Sequence, residues 1–85
     1  MSAAERPKVV YGVRVSNFRD GPGVVEAVFS TEAAACDYAL LRSAERHHNS
    51  GSVTRWELDR PDVRDWLVVY RDGRQQHRNT RLDGR

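Results

Sequence analysis

The sequence predicts an α+β fold in which one helix covers one face of a four- or five-stranded, mostly antiparallel sheet. Only the segment from Ser30 to about Asn49 is long and alanine-rich enough to form a helix. Short segments with alternating apolar residues lie on both sides of it, as is typical of half-buried strands. The predicted order is therefore strand, strand, helix, strand, strand, with a short fifth strand at the end.

Two strands precede the helix. Residues 8–18 alternate with a period of two, and their predicted inward side chains are Val9, Tyr11, Val13 and Val15. Residues 19–23 contain both Gly and Pro and are predicted to form the turn. Residues 24–29 form the second strand, and if Glu26 faces water, the inward side chains are Val25, Ala27 and Phe29.

The helix carries its own start and stop signals. Ser30 or Thr31 can cap its first turn, where Glu32 also suits the positive end of the helix dipole. Residues 49–51, Asn-Ser-Gly, tolerate the left-handed conformation that ends a helix. Helical spacing places Ala34, Tyr38 and Leu41 on one ridge, which we predict packs onto Tyr11, Phe29 and Trp56.

The remaining strands follow the helix. Residues 52–58 form the third strand, and its predicted inward side chains are Thr54, Trp56 and Leu58. A charged connection over 59–65 leads to the apolar run 66–70, which predicts a central or doubly buried strand. Asp72-Gly73 is a strong hairpin signal. It predicts a polar fifth strand over 74–78, suited to an exposed edge.

We divide the 85 residues into a flexible arm over 1–7, one domain over 8–78 and a disordered tail over 79–85. A core this small gains from sharing a face with a second copy. The predicted self-association face comprises Val10, Val24 and Val28.

Composition limits the class of protein. No apolar run is long enough to span a membrane, and residues 1–8 have no apolar signal-peptide stretch. A single cysteine suits a reducing compartment, so we expect a cytoplasmic protein. The net charge is +2, but residues 71–85 alone carry +3, so the basic excess lies in the C-terminal segment.

The pattern V-F-S-T-E-A-A-A-C-D-Y-A at residues 28–39 follows a strand and a Gly-containing turn. It resembles the strand end, cap and helix start of short α+β proteins of actinomycetes and their phages. The likeness covers roughly residues 8–71 and implies an architecture and a source. Because those proteins have no assigned activity, it implies no functional residues.

No set of residues predicts catalysis, a cofactor or a metal. His47, His48 and His77 with Cys36 lack zinc-ligand spacing, and adjacent histidines on a helix point about 100° apart. Cys36 has no sequence-local base to activate it. The acidic residues between 57 and 65 lack a calcium-loop pattern and alternate with arginines.

We therefore expect a non-enzymatic module that binds another protein or forms a homodimer. The alternative is an accessory nucleic-acid-binding protein. In that reading the phosphate contacts are Arg71, Arg74, Arg78 and Arg81. Trp56, Trp66 and Tyr70 would then stack bases on an open sheet face. Nucleic-acid binding is the less favoured alternative because these aromatic residues are expected in the core beneath the helix.

Overall fold

The computed structural model describes residues 8–17 and 21–80, with only the backbone described at 21, 22 and 61–63. The predicted arm over 1–7, the start of the first turn and residues 81–85, including Arg81, lie outside the described residues. The elements are β1 (Val9–Asn17), β2 (Gly21–Phe29), α1 (Glu32–Glu45), β3 (Asn49–Glu57), β4 (Arg60–Arg71) and β5 (Arg74–Arg78). The α+β fold with one helix on an antiparallel sheet is confirmed.

The five strands form one antiparallel sheet in the order β2-β1-β3-β4-β5. α1 carries the chain from the edge strand β2 across one face to β3, which pairs with β1. β4 begins at Arg60, inside the region predicted as a charged connection. The hairpin closes early because Asp59 has a φ of 65°, a left-handed conformation that Asp tolerates in tight turns.

The core lies between the helix and the middle of the sheet. Val13 pairs with Val53, and Val53 pairs with Val68 on the next strand. All three valines are fully buried, as are Ala35 and Ala39 on the helix. The central layer is therefore made of small aliphatic side chains, while Tyr11, Phe29, Tyr38 and Tyr70 pack around it.

The predicted buried face of the helix is wrong. The buried residues are Ala35, Ala39 and Ser43, whereas the Leu41 side chain is 61% exposed. A stripe of small residues faces the sheet because the two backbones nearly touch. A Cβ at Gly51 of β3 would lie only 2.6 Å from the Ala39 carbonyl oxygen. Tyr38 does pack as predicted on Phe29, with ring centroids 5.4 Å apart.

A β-bulge changes the predicted faces of β2. Val13 pairs with Ala27, but Arg14 pairs with Val25, so Glu26 is the extra residue. The bulge brings Glu26 to the helix side, where its carboxylate accepts hydrogen bonds from Tyr38 and Arg42. Val25 instead shares the opposite face with Gly12, whose Cβ position is 3.4 Å from Val25 Cγ1.

The predicted faces of β3 are also reversed. Val53 is buried under the helix, so its neighbour Thr54 and then Trp56 lie on the other face. Trp56 pairs with Val10 and does not contact the helix side of the core. The pairing of Val13 with Val53 decides which face each residue of β3 occupies.

The described chain continues just beyond β5 and bonds back to β4. The Asn79 amide nitrogen donates to the Leu67 carbonyl at 2.8 Å, and Asn79 Nδ2 donates to the Trp66 carbonyl at 2.9 Å. These bonds attach the first residue of the predicted tail to β4. Among the described residues, no helix has the length and apolar character needed to cross a membrane.

Candidate nucleic-acid interface

The face of the sheet opposite α1 is uncovered, and its side chains can be assigned from the strand register. Paired residues on neighbouring antiparallel strands share a face. Starting from Val10 and Gly12, the pairing leads across all five strands. We call this set the outer ladder. It comprises Val10, Gly12, Arg14, Ser16, Val25, Val28, Ser50, Ser52, Thr54, Trp56, Arg64, Trp66, Val69, Arg71, Arg74 and His77.

Both tryptophans of the chain belong to the outer ladder. Trp66 pairs with Thr54, and its side chain is 45% exposed. Trp56 is half-buried between Val10 of β1 and Arg64 of β4. The two rings lie on adjacent strands as diagonal neighbours, a relation that separates residues by about 7–8 Å. The open face therefore carries both tryptophans, on neighbouring strands.

Trp56 also forms one wall of a surface cavity of about 380 Å³. The cavity is lined by Val10, Trp56, Glu57, Leu58, Asp59 and Arg64. Trp56 Nε1 is buried and makes no hydrogen bond within the described structure. A buried donor without an acceptor is unfavourable for the fold.

Charged side chains are distributed unevenly between the two faces. Arg14, Arg64, Arg71 and Arg74 are exposed on the outer ladder, and none of its described members is acidic. The carboxylates that form ion pairs lie on the helix side, where Glu26 contacts Arg42, Asp65 contacts Arg55 and Glu32 contacts Arg78. Among the described residues, no ion pair joins a ladder arginine to a carboxylate.

The predicted phosphate contacts do not all lie on the same face of the sheet. Arg71 and Arg74 pair with each other across the β4–β5 hairpin and lie on the outer ladder. Arg78 pairs with the buried Val68, so it lies on the helix side, and its guanidinium is 3.4 Å from the Glu32 carboxylate. Arg81 is outside the described residues. Arg14 and Arg64 were missed, although the alternation of β1 already placed Arg14 opposite its apolar face.

The predicted stacking residues also lie on different faces of the sheet, and so do the valines of the predicted self-association face. Trp56 and Trp66 lie on the outer ladder, but Tyr70 packs against the core. Burial, together with the adjacent Cys36 thiol, raises the pKa of Tyr70 to about 12. Val10 and Val28 share the outer ladder, whereas Val24 pairs with Val15 and so lies on the helix side. The three valines therefore do not form one face, because the bulge at Glu26 shifts the alternation of β2.

A polar cluster that was not predicted from the sequence links the edge strand β2 to α1. Tyr38 Oη donates to Glu26 Oε2 at 2.5 Å, and Arg42 Nε donates to the same oxygen at 2.8 Å. Arg42 also contacts Glu45 one turn further along the helix. The bonds from Arg42 and Tyr38 hold the pKa of Glu26 below its ordinary value, and the bond to Glu26 raises the pKa of Tyr38.

A histidine cluster lies at the other end of the helix. His47 and His48 follow the last helical residue, Glu45, and their ring centroids are 3.7 Å apart. The prediction that both histidines lie on the helix, where their side chains would diverge, is therefore wrong. Asp72 of the β4–β5 turn joins them, and one ligand atom from each of the three residues lies within 4.8 Å of the others.

Comparison of the chain with protein families, with curated proteins and with solved structures found no significant match. The resemblance to short actinomycete and phage proteins stays a prediction.

Proposed function

We propose that the protein is a non-catalytic module that binds single-stranded nucleic acid on its outer ladder. The observation that carries the proposal is the composition of this open face. It combines two tryptophan rings with exposed arginines and has no acidic residue among its described members. A positively charged surface with aromatic stacking residues is the usual architecture of single-strand binding.

The positions of the tryptophans support base stacking. Exposing an indole to water forgoes the stabilisation that its burial would provide. This chain instead builds its core from Val13, Val53 and Val68 and leaves Trp66 at the surface. An unstacked base has an apolar face of matching size, and stacking would cover the ring that the fold leaves exposed.

The separation of charged side chains between the two faces supports contact with a phosphate backbone. Arg42, Arg55 and Arg78 already have carboxylate partners on the helix side. The ladder arginines lie on β1, β4 and β5, so a phosphate backbone crossing the sheet could contact arginines on three of its strands. Duplex nucleic acid has its bases paired and stacked, and it therefore cannot use the two tryptophan rings.

Self-association through the same face is the second candidate, favoured by the exposure of two apolar side chains on it, Val28 at 58% and Trp66 at 45%. A symmetric dimer would bring two copies of the ladder together. It would then place arginines near the arginines of the partner, which is unfavourable at low ionic strength. For this reason we rank it second, with binding to an acidic protein segment as a further outcome of the test.

The test is fluorescence anisotropy with labelled oligonucleotides of about twelve residues, a length within the site sizes of single-strand binders. The probes are oligo-dT, oligo-rU and a duplex of equal length. We expect both single strands to bind more tightly than the duplex, with affinity falling between about 50 and 200 mM salt. Stacking on the tryptophans should also quench their intrinsic fluorescence.

Two sets of variants locate the interface. Trp66→Ala should weaken binding by about 5- to 150-fold, the range for losing one stacked base, and Trp66→Phe should retain most of the affinity. Replacing Arg71 and Arg74 with Gln should reduce the salt slope by about 0.7 for each arginine. The matched controls are Leu41→Ala and Arg60→Gln, which remove an exposed apolar side chain and a charge away from the ladder.

Circular dichroism of each variant confirms that the fold persists. Equal losses in the ladder variants and in the two controls would contradict the proposal. Absence of single-strand binding at low salt would also reject it, as would duplex binding as tight as that of oligo-dT and oligo-rU. Binding of an acidic peptide but of neither oligonucleotide would assign the face to a protein partner instead.

A further inference from the structure

We propose that His47, His48 and Asp72 form a surface site for a divalent transition-metal ion, with Zn²⁺ as its probe. The three residues supply two imidazole nitrogens and one carboxylate oxygen, all within 4.8 Å of one another. Zinc accepts this donor set, and three protein ligands leave the fourth tetrahedral position for water or another ligand. The inference is independent of nucleic-acid binding.

The two histidines converge because the chain leaves the helix before reaching them. α1 ends at Glu45, and His48 has a φ of 69°. This left-handed residue reverses the chain direction and brings the His48 ring to 3.7 Å from that of His47. In a continued helix the same two side chains would point about 100° apart.

Asp72 is held in place by the fold. Its Oδ1 accepts a hydrogen bond from the His48 backbone amide at 2.8 Å, which leaves Oδ2 for an ion. The Asp72 amide donates to the Asn49 carbonyl at 3.3 Å, and the Gly73 amide donates to Ser43 Oγ at 3.1 Å. These bonds dock the β4–β5 turn against the end of the helix.

The His47 side of the site is also supported. Asn17 Nδ2 donates to the His47 carbonyl at 3.0 Å and to Asn49 Oδ1 at 2.9 Å. Asn17 and Asn49 are both buried, so the turn rests on a packed polar network. Next to it lies a cavity of about 270 Å³ lined by Asn17, Arg46, His47 and His48. The cavity gives an ion and its remaining water ligands access to the imidazoles, and Arg46 is the opposing charge among its described lining residues.

An ion bound there would connect the turn after α1 to the β4–β5 hairpin. It would join residues about 25 positions apart in the sequence and restrain both turns. Binding to the folded state alone also raises the melting temperature as the ion concentration increases. The site therefore predicts a stability that depends on Zn²⁺.

The test is isothermal titration of the full chain, without a histidine tag and freed of metal by a chelator, with Zn²⁺. We expect one ion per chain and a melting temperature that rises with added Zn²⁺. His48→Asn and Asp72→Asn should each weaken binding by at least about tenfold. Both substitutions preserve the turns, because Asn tolerates positive φ and its side-chain oxygen can still accept the His48 amide bond.

The matched control is His77→Asn, which removes an exposed histidine outside the cluster. In histidine-ring NMR spectra, Zn²⁺ should shift the signals of His47 and His48 and leave those of His77 unchanged. The proposal is wrong if Zn²⁺ binding does not saturate. It is also wrong if affinity is unchanged in His48→Asn and Asp72→Asn, or if His77→Asn weakens binding as much as they do.

Discussion

Glu26 shows how one bulged residue acquires a structural role. In a regular strand it would alternate with Val25 and Ala27, and its carboxylate would face solvent. The bulge turns it toward α1, where Tyr38 and Arg42 donate to the same oxygen. An acceptor bonded by a cation and a hydroxyl is stabilised in its ionised form, which explains the lowered pKa of Glu26.

We predict that Glu26→Gln lowers the free energy of unfolding by about 1 kcal/mol near pH 7, because a charge-assisted contact is lost. The folded-state pKa of Glu26 is depressed, so its contribution is complete above the unfolded pKa of 4.5. The contribution disappears as the pH falls through the folded value. The difference between the two proteins in urea unfolding should therefore shrink toward pH 3.

The matched control is Asp37→Asn, an exposed carboxylate on the same helix. It should change stability much less than Glu26→Gln near pH 7. The prediction is contradicted if wild type and Glu26→Gln differ in free energy of unfolding by the same amount at pH 7 and pH 3. The ionised carboxylate would then not be the source of the stabilisation.

At the scale of elements, the helix and β3 are joined by small residues. Ala35, Ala39 and Ser43 recur every four residues and form one stripe along α1. Gly51 lies beneath this stripe, with its hypothetical Cβ 2.6 Å from the Ala39 carbonyl oxygen. Close backbone approach, and not interdigitation of bulky side chains, therefore sets the distance between helix and sheet.

We predict that Gly51→Ala lowers the free energy of unfolding by about 1–3 kcal/mol, since the helix must move away from β3. Gly12→Ala on β1 is the matched control, because its new Cβ would lie at an ordinary 3.4 Å from Val25 Cγ1. Losing a strand glycine there should be neutral or slightly stabilising. Urea unfolding measures both variants, and equal effects would contradict the proposed close contact.

At the scale of the whole molecule, the sheet separates charge. The helix side holds ion-paired carboxylates such as Glu26, Glu32 and Asp65, while the outer ladder carries arginines and apolar side chains. A nearly balanced net charge of +2 therefore conceals one basic face. Long-range attraction of an anionic partner depends on this distribution more than on the total.

This distribution predicts opposite effects of salt on the two candidate interactions. Nucleic-acid binding should weaken as salt increases, because counterions are released from the phosphates. A dimer formed through the outer ladder should strengthen instead, since salt screens the repulsion between facing arginines. Sedimentation of the protein alone should show a monomer at low salt. A dimer that is tightest at low salt would contradict this assignment of charges to the face.

Local patterns in the chain determined much of the architecture. The period of two in β1, the cap at Thr31 and the Asp72-Gly73 turn depend on near neighbours, so β1, α1 and the last hairpin were predictable. The Thr31 hydroxyl accepts from the Ala34 amide at 3.2 Å, as its position before the helix predicts. The presence of tryptophans and arginines in the second half was equally plain from the sequence.

Which side of the sheet those residues occupy was decided only in the tertiary structure. A strand's period of two leaves its two faces equivalent until pairing selects one, and a bulge reverses the choice beyond it. Pairing of Val13 with Val53 turned Trp56 outward, and the bulge at Glu26 separated Val24 from Val28. The convergence of His47, His48 and Asp72 likewise needed two turns distant in sequence to dock. Sequence determined the elements, and contacts between distant residues determined what each face presents.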